Sequence, residues 1–225
     1  MLRELANNLW VAEQPLRYLG IEVGTRTTVI RLDDGRLFVH SPAQLRAELR
    51  DDLEKLGELK FVIAPNRFHH LFIGDYRLSY PACELHCAPG LEKKRPDLKF
   101  DAVLTDQPPS GWAGQLDQIV FRAFPPLNEV VFLHRASRTL IFTDLLFNVT
   151  HASSTISRIA LRLDGAFGGP AVARTFRLLL KFRREQARAS IQRILDWDFD
   201  RVILAHGDAI ETGGKNAVAK AWSFL

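Results

Sequence analysis

The chain has 225 residues, 47% hydrophobic and 25% charged, enough to bury one substantial core and ordinary for a globular protein. Its formal charge of +4 is mildly basic. No run approaches the roughly 18 consecutive apolar residues of a membrane span, and Met1–Asn8 lacks the apolar core of a secretory signal. A cytoplasmic protein forming a single domain over residues 1–225, with no membrane partner, is expected.

In chain order, Leu9–Glu13 and Arg26–Leu32 read as strands rich in β-branched and aromatic residues. Asp33-Asp34-Gly35 is a turn signal, and Arg36–His40 resumes the apolar run, so a hairpin is expected there. Ser41-Pro42 opens a predicted helix in which Leu45, Leu49, Leu53 and Leu56 recur at helical spacing. Leu59–Ala64 reads as a buried strand, and a second helix is expected from His69 to about Tyr80. Glu84–Ala88 is a short strand, and Leu91–Gly114 is mostly loop with a strand at Ala102–Leu104. Cys83 and Cys87 lie four residues apart, roughly 13 Å in extended chain, too far for a disulfide. Reduced core thiols are expected.

Gln118–Phe124, Glu129–His134 and Thr139–Phe142 read as three successive strands, the last two joined by the turn Arg135–Arg138. Val149–Ala166 is irregular or partly helical. Ala171–Trp197 reads as one long helix, Arg201–Ala205 as the last strand and Lys215–Leu225 as a closing helix. The basic excess lies largely in Arg174–Arg193, interleaved with apolar residues. It forms either a solvated helix face or an attractor for an anionic substrate, nucleic acid or membrane surface.

Three segments carry the chemistry. Pro65–Gly74 (Pro-Asn-Arg-Phe-His-His-Leu-Phe-Ile-Gly) follows the strand ending at Ala64, Thr143-Asp144 closes Thr139–Phe142, and Ala205-His206-Gly207 closes Arg201–Leu204. Side chains at strand ends converge on one sheet edge in α/β proteins. Each residue also has a bland reading: His69 and His70 as a capped or packed pair opening a helix, Asp144 as an N-cap, His206 as part of a turn. His86, His134 and His151 have no motif around them and read as structural or surface residues. No Lys-Ser/Thr follows the glycines of 165–170, which excludes a P-loop. Ser41, Ser153 and Ser154 lack a nucleophile-elbow context. No nucleic-acid-binding motif accompanies the basic residues around Phe182, so nucleic acid is not an expected partner.

The ordered set resembles the metallo-β-lactamase superfamily, with most of its metal ligands replaced. Members carry a His-x-His-x-Asp-His segment leading into a helix, then a His before a strand, an Asp closing another strand and a final His in a Gly-His-Gly-like turn. In this chain the two early histidines fall on Asn66 and Phe68, the aspartate on His70, the next histidine on Leu71, and the middle histidine near Pro125-Pro126. Asp144 and His206 match. The early strand that ends in Asp-x-Gly in the family ends here in His40-Ser41-Pro42. The chain looks closest to a divergent bacterial branch with an Asn-x-x-His-His segment, for which no activity is implied.

What the resemblance implies is an α/β fold, a four-layered αββα sandwich with two mixed sheets flanked by helices. Half of the usual dinuclear site is absent, because a phenyl ring and a proline offer no lone pair. His70 (or His69), Asp144 and His206 would still hold one divalent ion, zinc first, iron or manganese next. Glu129, His40 and Asn66 are expected beside them, as extra ligands, orienting partners, proton shuttles or substrate contacts. The expected function is a metal-dependent hydrolase of a small ester, thioester, lactone or phosphoester. The alternative is a catalytically silent module of the same fold without metal.

Overall fold

A computed structural model describes residues 1–225. The first half builds β1 (Arg3–Ala6), β2 (Leu9–Gln14), the short hairpin β3 (Arg17–Tyr18) and β4 (Ile21–Glu22), β5 (Thr25–Arg31), β6 (Arg36–His40), α1 (Ala47–Leu56), β7 (Glu58–Ala64), α2 (Ile73–Ser79), β8 (Glu84–Cys87), α3 (Leu91–Lys94) and β9 (Ala102–Val103). The second half builds β10 (Leu116–Val120), β11 (Val130–His134), β12 (Thr139–Phe142), α4 (Thr155–Leu163), α5 (Arg174–Leu180), α6 (Arg184–Leu195), β13 (Arg201–Leu204) and α7 (Gly214–Ala221). One sheet has the order β1-β2-β5-β6-β7-β8-β9, and the other β10-β11-β12-β13.

The period of two along each strand sorts the core into three layers. On β6, Phe38 faces the opposite sheet while Leu37 and Val39 face helices. On β11, Val130 and Phe132 face inward while Val131 and Leu133 face outward. The inward set, with Ile30, Phe61, Trp112, Ile141 and Ile203, is the layer between the sheets. Leu49 and Leu53 of α1 and Ile73 and Tyr76 of α2 cover the outer face of the first sheet. Leu180 of α5, Ala187, Ile191 and Ile194 of α6 and Val218 of α7 cover the second. The result is the expected αββα sandwich.

Parallel pairing sets where the site lies. β6 pairs parallel to β7, and β12 parallel to β13, so in each sheet two C-terminal strand ends reach the same edge. The antiparallel pairs β5–β6 and β11–β12 are the hairpins that the turn residues predicted.

Four expectations about elements need correction. The first helix begins at Ala47, because Ser41 takes a left-handed φ of 55° and the chain is still extended at Arg46. The second begins at Ile73 rather than His69. The Asn66 side chain accepts the backbone N–H groups of Phe68 and His69 at 2.8 Å each, a local turn that competes with a helix. The first strand of the second sheet runs two residues earlier than expected and ends at Val120. Residues 171–197 are not one helix: a 3₁₀ turn at Lys181–Arg183 separates α5 from α6, and Arg183 leaves helical geometry at φ −136°, ψ 35°. No residue from Lys181 to Gln186 is buried to hold that turn, and the like charges of Arg177, Lys181 and Arg184, three or four apart, disfavour a regular helix. Cys83 and Cys87 are free and buried, as expected.

Phe38 is fully buried and packs edge-on to Trp112 at 5.1 Å and Phe132 at 5.4 Å, joining the two sheets. Phe38→Ala is expected to lower stability by about 3–5 kcal/mol, read as a lower urea midpoint at constant m. A loss under about 1 kcal/mol would contradict this packing.

Candidate metal centre

Four strand ends and the start of a fifth supply the site: Ser41 after β6, Asn66 after β7, Glu129 before β11, Thr143-Asp144 after β12 and His206 after β13. Three donors meet there. His206 Nε2 lies 3.1 Å from Asp144 Oδ1, His69 Nε2 lies 3.5 Å from Asp144 Oδ2, and the two Nε2 atoms are 3.3 Å apart. All lie within 4.8 Å of one another. Side-chain exposure is only 13% for Asp144, 8% for His69 and 6% for His206.

Both imidazoles are oriented through their other nitrogen. His206 Nδ1 lies 2.8 Å from the carbonyl of Gly24, which can only accept, so in the neutral ring Nδ1 carries the proton and Nε2 presents a lone pair. His69 Nδ1 lies 2.7 Å from Ser41 Oγ. Phe147 stacks on the His206 ring, with centroids 5.5 Å apart and planes 10° apart. Gly207 follows at φ +87°, where an added Cβ would stand 2.1 Å from the Asn148 carbonyl oxygen. Only glycine allows that approach, which the bonds Asn148 N–H to His206 O and Asp208 N–H to Asn148 O clamp.

A buried amide and a buried carboxylate organise the rim. Asn66 Nδ2 is within reach of three acceptors: Asp144 Oδ2 at 2.7 Å, Thr143 Oγ1 at 2.8 Å and Glu129 Oε2 at 3.3 Å. Glu129, fully buried, accepts the backbone N–H groups of Thr143 and Asp144 at 2.7 Å and of Leu145 at 3.2 Å. Burial, then the charge of Asp144, pushes its carboxyl above the usual range, against the pull of those N–H groups. Burial opposes ionisation of Asp144 too, but the His69 charge and the bonds from His206 and His69 hold its carboxyl well below the ordinary value. Burial works against the His206 imidazolium, and Asp144 outweighs it and raises the ring above its ordinary pKa.

The structure therefore brings together His69, Asp144 and His206, with Glu129 and Asn66 touching them. It corrects the role expected of His70. That ring points out of the cluster and accepts a bond from Arg95 Nη1 at 3.1 Å on Nδ1, which requires a neutral imidazole. Adjacent residues in a turn diverge, so one of the pair faces the rim and the other the basic surface. His40 is no ligand either: it turns into the layer between the sheets, edge-on to Phe132 at 5.4 Å. Asp144 is not an N-cap, since no helix follows β12. Phe68 is 41% exposed, and Asn66 is spent on hydrogen bonds, so neither position turns a donor toward the cluster. Ser41, Gly24 and Phe147 escaped the sequence reading. Ser41 carried a weak signal in lying within His40-Ser41-Pro42, the segment that departs from the Asp-x-Gly ending, and Gly24 carried none. His86 and His134 are buried and bonded to Glu84 and Ser137, as structural residues.

A surface cleft of about 680 Å³ is lined by Glu13, Arg17, Gly24, Arg26, Ala205 and Gly207 among others. None of the three donor side chains lines it. It borders the backbone on either side of His206 and the carbonyl that orients the ring, so the donor geometry, not the cleft, marks the chemistry.

A model of the family described as a domain of unknown function, DUF4336, matches residues 6–167. The chain belongs to this family. No curated protein matches it. Among solved structures it is similar to DIM-1 metallo-β-lactamase exposed to ceftazidime, with a TM-score of 0.69, 13% identity and 100% and 96% of the two chains covered. It is similar to the metallo-β-lactamase FIM-1 from Pseudomonas aeruginosa in its mono-zinc form, with a TM-score of 0.66, 8% identity and 100% and 95% covered. The metal-soaked Flv1 flavodiiron core from Synechocystis matches with a TM-score of 0.65 and 13% identity, over 100% of this chain and 60% of that one. This DUF4336 protein has the metallo-β-lactamase fold.

Two predictions follow from the rim. Glu129→Ala strands three buried N–H groups and part of the Asn66 amide, so a loss of about 3–5 kcal/mol is expected in chemical denaturation. A loss near zero would remove Glu129 from this role. Acid sensitivity is also expected. Burial lowers His40 to about 3, and burial with the charges of Lys94 and Arg95 lowers His70 to about 4; burial lowers His86 and His134 as well. Below the ordinary 6.5 the unfolded chain takes up protons that these folded rings refuse, so stability is full above pH 6.5 and falls toward pH 4. His206, raised by Asp144 against burial, and Glu129, whose carboxyl is pushed up to about 7 by burial and the charge of Asp144, act in the opposite sense, two groups against four rings. The urea midpoint should therefore drop steadily between pH 7 and pH 5; a flat profile would contradict the burial of these rings.

Proposed function

We propose that this protein is a metal-dependent hydrolase that holds one divalent ion on His69 Nε2, Asp144 and His206 Nε2. The observation that carries the reading is the convergence of three donor residues. The two Nε2 atoms lie 3.3 Å apart, near the edge of about 3.3 Å of a tetrahedron with bonds of about 2.0–2.1 Å. Each faces its own oxygen of Asp144, His206 at 3.1 Å from Oδ1 and His69 at 3.5 Å from Oδ2. Three protein donors leave one position open, the arrangement of catalytic rather than structural zinc sites. Iron(II) and manganese(II) suit the same two-histidine, one-carboxylate set.

The bound ion would supply Lewis acidity and a water acidic enough to act as a nucleophile near neutral pH. The chain's own groups do the rest. Asp144 keeps its negative charge through Asn66 and the two imidazoles. Gly24 and Ser41 hold the ring orientations that turn both Nε2 atoms inward, the supporting bonds metal-ligating histidines commonly make. Glu129 anchors the loop 143–145, so the carboxylate cannot swing away. The donor side chains are only 6–13% exposed, which favours a small reacting group such as a small ester, thioester, lactone or phosphoester.

Protein purified without chelator should carry about one transition ion per chain, read by elemental analysis. His69→Ala, Asp144→Ala and His206→Ala should each empty the site, and His70→Ala should leave it filled. Loss of metal in His70→Ala with retention in His69→Ala would overturn the ligand assignment. No metal at all, with no activity on a panel of ester, thioester, lactone and phosphoester substrates, would leave a silent module of the same fold.

A further inference from the structure

We infer that the basic, apolar face built by α4 and α5 docks this protein onto an anionic lipid surface. On α4, Ile156, Ile159 and Leu163 stand at i, i+3 and i+7, one face of the helix, and that face has no partner in the fold. The opposite face, with Ser157 and Leu161, is the one buried. Leu178 and Leu179 of α5 and Phe182 of the following 3₁₀ turn are unpartnered in the same way. These six large apolar side chains are 49–90% exposed. Isolated exposed leucines need no explanation, whereas a recurring stripe on two successive helices does. The two helices are joined end to end: Arg174 N–H bonds Asp164 O at 2.7 Å, Thr175 N–H bonds Asp164 Oδ1 at 2.9 Å, and Arg174 Nη1 bonds Leu163 O at 3.0 Å.

Charge selects the occupant. Residues 155–195 hold nine Lys or Arg against two Asp or Glu, while the remainder of the chain is net acidic. Arg162, Lys181 and Arg183 are exposed and enter no ion pair. Apolar side chains flanked by free cations are the composition of helices that lie in a lipid interface, where hydrophobic burial and attraction to anionic headgroups add. A nucleic acid would use the cations and stack a base on Phe182, but it would gain little from the five exposed Ile and Leu side chains. The reading reverses the expectation, drawn from the absence of a spanning segment, that no membrane is a partner. No helix is long and apolar enough to cross a membrane, so the contact is peripheral.

The test is co-flotation of the purified full chain with vesicles of phosphatidylcholine alone or mixed with about one-third phosphatidylglycerol. Binding to the mixed vesicles, weakened by salt and absent from neutral ones, is expected. The variant Ile159→Asp/Leu163→Asp and, separately, Phe182→Ser should each bind about tenfold more weakly. Arg162→Glu/Lys181→Glu should lose the preference for anionic lipid. All these sites are exposed, so thermal midpoints and metal content should stay at wild-type values. That readout separates failure of this proposal from failure of the metal site. No flotation with anionic vesicles at low salt overturns the proposal, as does binding that the apolar substitutions leave unchanged. Retention on double-stranded DNA without any vesicle binding would overturn it in favour of a nucleic acid, and binding only to an acidic protein would do the same for a protein partner.

Discussion

A carboxylate sunk at a strand end, with 13% of its side chain exposed, stays ionised only if its surroundings are built to keep it so. Asp144 is held by an amide from Asn66 and by two imidazoles from distant parts of the chain. Every other feature of the rim serves those contacts. Glu129 fixes the backbone that carries Asp144, Ser41 and the Gly24 carbonyl orient the imidazoles, and Phe147 backs one ring. Two carboxylates this near one another are a cost. Asn66 stands between them and donates to both, which offsets part of that repulsion.

The sandwich makes this concentration of charge possible. In each sheet a parallel pair sends two strands the same way, so their ends open at one edge while the layer between the sheets stays apolar. Only at that edge do backbone N–H groups and side chains remain free to serve a buried charge. Asn66 ties the rim together: its amide bonds the carboxylate of Asp144 and, through its oxygen, shapes the turn that swings His69 inward.

The rim and the α4–α5 face obey different physics. At the rim, burial makes each charge depend on its partners. On α4 and α5, nothing is buried that is not already satisfied, and apolar surface is left beside exposed cations. The break at Arg183 belongs to that second regime. No buried anchor spans Lys181–Gln186, so repulsion among the cations decides the local backbone and leaves Phe182 projecting.

Strand positions and both hairpins were legible in the residues, because period-two burial is a local pattern, and so was the placing of Asp144 and His206 at strand ends. The αββα layers came from the family resemblance. The choice of His69 over His70 was not legible. Both are imidazoles on one turn, and which faces the rim depends on the Asn66 side chain capturing the N–H of Phe68 and His69, and on Arg95 waiting beside His70. The interior position of His40, the orienting Gly24 carbonyl and the cation on offer from Arg95 belong likewise to contacts between residues far apart in the chain. A ligand set is a matter of side-chain direction within an ångström or two, and only packing supplies that.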